Sequence, residues 1–374
     1  MSALEVIELD PGKAHMLPYA PSVRVPGSAE HLFLSGAVAA DDEEYPDDIV
    51  EQVRRVMRRH TAVLAANGLG WSDVIHVYEF LTDMRDTVAV HVTMAEFFDD
   101  PSWKPANTLI GVDALVKPGA RFELDVIAAR APHDADPADS VFWMSGATAI
   151  PLYHMHPHIP EECVLPDDIV EQTRRVLATF DEVLAFVGLG WSDVRRGDLF
   201  LTDLRDLDVV RAAVAARFGD DPPPLGFVGI NALSAAGARL ELEIVAGSPG
   251  NAAGGSPARA AGGAGAPPAV LTSAGAPVVF LPAVTATPGP NAAGIAPQTD
   301  QTLDGIAALL AERGLEWRAV TKALVEVTDI RDAAHVAAAL AARCGTWRPA
   351  LTIVQVDNLP VAGARVQVEV VAAG

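Results

Sequence analysis

The segment NGLGWSDVIHVYEFLTDMRD at residues 67–86 returns as VGLGWSDVRRGDLFLTDLRD at 187–206 and, more diverged, as RGLEWRAVTKALVEVTDIRD at 313–332. Its tryptophans, Trp71, Trp191 and Trp317, lie 120 and 126 residues apart. Solenoid units span about 20–50 residues, whereas this period is that of a whole small domain. The chain is therefore expected to fold as three fused α+β domains: residues 1–131, 132–246 and 270–374, with a Gly/Ala/Pro/Ser tract at 247–269 read as a flexible linker.

Within the first copy, HLFLSGAVA has strand composition and is followed by an acidic turn and Pro46. Ile49, Val53, Val56, Met57, His60 and Leu64 then recur at helical spacing, and Gly68 and Gly70 end the run. A strand over DVIHVYEFLTD, a second helix from Thr87 to Phe98 and two closing strands complete the order β-β-α-β-α-β-β, a mixed sheet backed by two helices. Only PHDADPAD separates copies one and two, so the second copy is expected to lack most of its first strand. In the last strand, Arg121, Glu123 and Asp125 alternate with Phe122, Leu124 and Val126, and the other copies repeat the pattern. One face must pack on helices while the other, charged, needs water or its fellows. Three such faces closing on one another would make a pseudo-threefold trimer within one chain.

A net charge of -22, with four Lys among 27 basic residues, leaves no basic stripe, so nucleic acid is not an expected partner. No run is long enough to span a bilayer, no leader pattern is read, and a cytoplasmic protein is expected. Cys163 and Cys344 occupy unmatched positions, so neither a disulfide nor a paired-cysteine metal site is expected. His154, His156, His158 and Cys163 are ligand types that suit zinc or copper, but they share a loop without counterpart in the other copies. They are read as polar loop residues, and neither metal nor cofactor is expected.

The copies resemble the RidA/YjgF family of reactive-intermediate deaminases. The likeness rests on FLSG at 33–36 and WMSG at 143–146, the aligned Gln52, Gln172 and Gln298, FLTD at 80–83 and 200–203, EFF at 96–98 and the GARFEL ending. It implies a chorismate-mutase-like fold, a trimer, and imine or enamine hydrolysis in clefts between subunits. The family arginine that grips the substrate carboxylate falls on Asn107, Leu225 and Leu351, and neither Asn nor Leu supplies a guanidinium's charge and planar fork. The family serine falls on Ser35, Ser145 and Pro282, and the family glutamate on Glu123, Glu241 and Gln367, so the third copy reads as largely structural.

Glu123 and Glu241 are the candidate proton carriers, with pairing to Arg121 and Arg239 as the purely structural alternative. Tyr19, Ser35, Asn107 and Ser145 are candidates for holding substrate or water, and His91 for a polar place in a cleft. Arg121 and Arg239, with Arg365 in the third copy, would be the cations available to a carboxylated substrate. The leading expectation is a small-molecule enzyme acting on an imine, enamine or enol-type intermediate of specialised metabolism. A non-catalytic metabolite- or partner-binding module and a hydrolase or isomerase of a chorismate-type ring are the alternatives, and further oligomerisation is open.

Overall fold

A computed structural model describes residues 3–39, 45–98, 100, 102–136, 138–154, 164–219, 222–247, 257–259, 269–289 and 293–374. Each repeat contributes two helices: α1 (Ile49–Ala66) and α2 (Thr87–Met94), α3 (Ile169–Phe186) and α4 (Leu207–Phe218), α5 (Ile295–Glu312) and α6 (Ala333–Cys344). Asp48 and Asp168 cap α1 and α3 by accepting from the N–H of Val50 and Val170. The long helices stop where Gly68, Gly188 and Gly314 take left-handed backbone conformations, φ +71°, +76° and +68°. The aligned glutamines are braces: Gln52 donates to the carbonyls of Pro46 and Gly119 and accepts from the Arg121 N–H, and Gln172 does the same with Pro166, Gly237 and Arg239.

Three sheets carry the helices. The first runs, in space, Glu5–Ile7, Ser22–Pro26, Ser140–Met144, Leu240–Gly247, Val194–Leu201 and Leu225–Gly229. The second runs Ala258–Arg259, Ala269–Leu271, Glu30–Ala37, Phe122–Arg130, Val74–Leu81 and Ala106–Gly111. The third runs Val278–Phe280, Val366–Ala373, Val320–Val327, Ala350–Gln355 and Ala114–Leu115, with Val284–Thr285 also on Val366–Ala373.

Strands cross the repeat boundaries. Ser22–Pro26 pairs on one side with Glu5–Ile7 and on the other with Ser140–Met144 of the second repeat, supplying the entry strand that eight intervening residues are too few to build. An open edge at Ser140–Met144 would leave a row of backbone groups unsatisfied. Similarly, Ala269–Leu271 pairs with Leu32–Leu34 of the first repeat, and Ala258–Arg259 pairs with Val270 and Leu271. Within the tract read as a linker, Ala258–Arg259 is a strand, and Ala269 at its end begins the Ala-Val-Leu strand that completes an edge.

The alternation in the last strands sets the packing. Phe122, Leu124 and Val126 bury against Val53, Val56 and Met57 of α1. Their charged neighbours turn to the other repeats. Position 76 of the first repeat and its equivalents, Arg196 and Lys322, each meet the inner acid of the next repeat. His76 Nε2 lies 3.5 Å from Glu243, Arg196 lies 2.5 Å from Glu369, and Lys322 pairs with Asp125. The backbone closes the same cycle through Ile110 with Leu233, Gly229 with Asn358, and Val354–Gln355 with Ala114–Leu115. One, two, three and back to one: the pseudo-trimer is intramolecular. Beside the ion pairs, Tyr78, Phe80, Phe200, Val228, Leu324 and Val354 form an apolar centre drawn from all three repeats. Among the described residues, no helix is long and apolar enough to cross a membrane.

Candidate functional site

Between the first and second repeats lies a cleft lined by Tyr19, His91, Asn107, Gly146, His154 and Glu241. Four of these were picked out as candidates from sequence, and they come from four separate chain segments. Glu241 projects from the last strand of the second repeat and is only 4% exposed. A Cβ at Gly146 would stand 1.9 Å from Glu241 Oε1, so glycine is what lets the carboxyl lie against the backbone there. Burial pushes this carboxyl up to about 8, the Glu243 charge adds to the rise, and a hydrogen bond from the Leu109 N–H opposes it. At neutral pH Glu241 is therefore largely an uncharged proton donor.

Ser145 works behind the cleft. Its hydroxyl accepts from the Asn107 N–H at 2.8 Å and donates to the Ala20 carbonyl at 2.6 Å, while Ala20 N–H donates to the Pro105 carbonyl. The serine thus clamps the Asn107 strand and the Tyr19 segment to the second repeat. It positions these residues and does not line the cleft.

The cleft continues past Tyr19, His91 and Asn107 into a compartment of about 170 Å³ walled by Val77, Met94, Phe98 and Trp103. Two polar residues unremarked in the sequence sit here. Glu79, 1% exposed, places Oε2 3.2 Å from His91 Nε2. It belongs to the helix-facing register of its strand, with Val77 and Leu81, where the other repeats have Leu199 and Val325. A lone acid in an apolar register was the available signal. Lys104 donates to the carbonyls of Ala14 and Leu17 at 2.6 and 2.5 Å, tying down the N-terminal turn Pro11–Met16.

A sequence profile described as Endoribonuclease L-PSP matches the chain over residues 13–130, 139–248 and 283–374. The chain belongs to that family, known also as RidA/YjgF. Protein DfrA of Myxococcus xanthus is 35% identical over 129 residues, 34% of this chain and 95% of its own. The 2-iminobutanoate/2-iminopropanoate deaminase of Dermatophagoides farinae is 31% identical over 113 residues, 29% of this chain and 84% of its own. Among solved structures, a chorismatase covers 81% of this chain and 93% of its own at 15% identity, with a TM-score of 0.48.

The positions aligned with the RidA arginine keep their register. Asn107, Leu225 and Leu351 sit opposite Val77, Gly197 and Ala323, each one residue beyond the basic position at 76, 196 and 322. Between the third and first repeats, Ser35 accepts from the Leu351 N–H at 2.9 Å, and Glu123 lies against Gly36 as Glu241 does against Gly146. Burial also pushes Glu123 up to about 8, with Asp125 adding and Lys322 opposing. Between the second and third, Gln367 donates to Phe227 O and Glu326 and accepts from Thr285. Arg211, the counterpart of His91, stacks 4.9 Å from the Phe227 ring centre.

Arg121 and Arg239 line none of the compartments just described. The last strands begin at Phe122 and Leu240, so both arginines lie in the preceding turn, outside the strand face that carries Glu123 and Glu241. Arg121 pairs with Asp86 and donates to Asp47 O, Arg239 pairs with Asp206 and donates to Asp167 O, and Arg365 pairs with Asp332. They brace loops, and these pairs stand in place of the ion pairs to Glu123 and Glu241 weighed as the structural alternative. His156, His158 and Cys163 fall outside the described residues. His154 Nδ1 is 2.8 Å from the Pro151 carbonyl.

Proposed function

We propose that the cleft between repeats one and two is an enzyme site for a small imine or enamine, with Glu241 carrying the proton. The observation that carries this reading is a buried, backbone-seated carboxyl, raised to about 8, facing Asn107, His91 and Tyr19 across an open cleft. Hydrolysis of an imine needs a proton at nitrogen as water attacks carbon. The Glu241 carboxyl gives its proton to the nitrogen, and the carboxylate accepts one from the adding water, forming a carbinolamine. Collapse of that intermediate to the carbonyl compound expels ammonia as the carboxyl protonates the departing nitrogen and its carboxylate takes the hydroxyl proton, which restores the acid. Asn107 and His91, the latter set by Glu79, orient the substrate. A relative named as an imine deaminase supports the reaction class. Although the family description names an endoribonuclease, a net charge of -22 favours a small molecule over RNA.

The test is in situ generation of an N–H imine by a flavin oxidase, from L-phenylalanine and separately from phenethylamine, with semicarbazide competing for it. Wild-type protein should lower semicarbazone yield from at least one imine, and Glu241→Gln should not. If neither yield responds to the wild-type protein, imine hydrolysis is the wrong reaction.

A further inference from the structure

We infer that this cleft selects an uncharged, N–H-bearing ligand with an aromatic or bulky alkyl group, and discriminates against the carboxylate. The inference rests on the site proposed above and names its ligand class. Three observations carry it.

First, Asn107 occupies the strand position opposite Val77 and is 7% exposed, and its Oδ1 is buried without a hydrogen-bond partner. An orphaned buried acceptor carries an uncompensated desolvation cost until a donor reaches it. An imine, amine or amide N–H would satisfy it, whereas a carboxylate would set lone pairs against lone pairs. Second, the compartment just beyond Asn107 is walled by Val77, Met94, Phe98 and Trp103, a surface that gains nothing from a charged group. Third, the basic side chains nearest this chemistry are engaged. Lys104 points its ammonium at the Ala14 and Leu17 carbonyls, and burial lowers its affinity for a proton. His91 faces Glu79. Such a site rewards the N–H and penalises the charge, the asymmetry by which a buried polar group rejects the ligand that cannot pair with it.

Phenylacetamide and phenylacetate share a ring and differ in presenting an NH₂ or a second oxygen with its charge. Binding of both to the full chain, measured by calorimetry at pH 7, should favour the amide at least tenfold. Asn107→Leu should remove the preference, and Asn107→Arg should reverse it. Ala95→Phe, on the exposed helix end that lines the same compartment, should block both aryl probes while leaving the unfolding midpoint unchanged.

Equal affinities, tighter phenylacetate, or no binding of either probe overturns the inference. A phenylacetate preference lost in Lys104→Gln would also overturn it, by showing Lys104 to be a carboxylate anchor. Because binding is read without turnover, amide selectivity with no imine hydrolysis would sink the proposed reaction and leave the ligand class standing.

Discussion

The cleft between repeats one and two and its counterpart between repeats three and one hold the same acid in the same seat. Glu241 rests on Gly146 and Glu123 on Gly36, and burial lifts both to about 8. What faces them differs. Across from Glu241 stand Asn107, Tyr19 and His91 around open space. Across from Glu123 stand Leu351 and Thr352, whose hydroxyl accepts from the Gly36 N–H at 2.9 Å and donates to Asp125, while Tyr45 accepts from the Ala39 N–H at the rim. In the second repeat Leu165 takes the place of Tyr45. A perturbed carboxyl is thus not sufficient for a site: the same pKa arises beside an open cleft and where Leu351 and Thr352 face the acid. The largest predicted effect separates the two. Glu241→Gln should lower kcat/KM on an accepted imine by about 10²–10⁴-fold, the span of general acid catalysis. In the wild type, activity should hold up to about pH 8 and then fall about tenfold per unit as Glu241 ionises. A Gln variant as active as wild type breaks the comparison at once.

The next contrast concerns the ion pairs that close the ring. Lys322 and Asp125 are buried partners between repeats three and one, so Lys322→Met should cost about 3–5 kcal/mol in denaturant unfolding by stranding a carboxylate. His76→Leu, the same change between repeats one and two, should cost less. There, Glu243 keeps hydrogen bonds from Tyr78 and Thr108 and the field of Arg196. The exposed pairs of the loop repeat, Asp83 with Arg85 and Asp203 with Arg205, should not matter measurably to stability.

A smaller effect comes from Glu326, which burial raises to about 8 between repeats two and three. Between its unfolded value near 4.5 and about 8, the folded chain holds a proton that the unfolded chain releases. Its contribution is therefore full below that window, falls as pH rises through it and is gone above about 8. Glu326→Gln should flatten the decline in unfolding midpoint from pH 5 to 8 by its share, a few degrees, leaving those of Glu123 and Glu241.

How far the chain could be read in advance depended on the range of the interaction involved. The repeats, the helices over 49–66 and 169–186 and the two-faced last strands follow from local spacing, and each formed where the pattern put it. The acids could be picked out too, since the alternation that buries Phe122 and Leu240 turns Glu123 and Glu241 the other way. Exchange of Ser22–Pro26 into the sheet of the second repeat was hidden because strand pairing has no sequence period linking residues over a hundred apart. Only the short spacer before Ser140 hinted that something must come from elsewhere. The ring of His76, Arg196 and Lys322 was not read from the sequence: each lies five residues after its repeat's tryptophan, but their partners sit in other repeats. Arg121 and Arg239 misled because alternation was carried one residue past the strand's start.

Glu123→Gln is the smallest predicted effect, and it tests what the interface between repeats three and one is for. Glu123 Oε2 is buried without a hydrogen-bond partner, so the acid satisfies fewer contacts than its burial requires. Were Glu123 held for catalysis, removing its proton would cost as much as at Glu241. With Leu351 where Asn107 would be and Tyr45 at the rim, Glu123 lines none of the compartments described above, and the amide should leave kcat/KM within about twofold while easing the burial of an ionisable group. The midpoint of Glu123→Gln should then match or exceed that of the wild type at pH 8, where the carboxyl is half ionised, and differ less at pH 5. A kinetic loss comparable to that of Glu241→Gln would mean that the two interfaces both turn over substrate, and that the difference between Asn107 and Leu351 selects among substrates instead of deciding whether a cleft works.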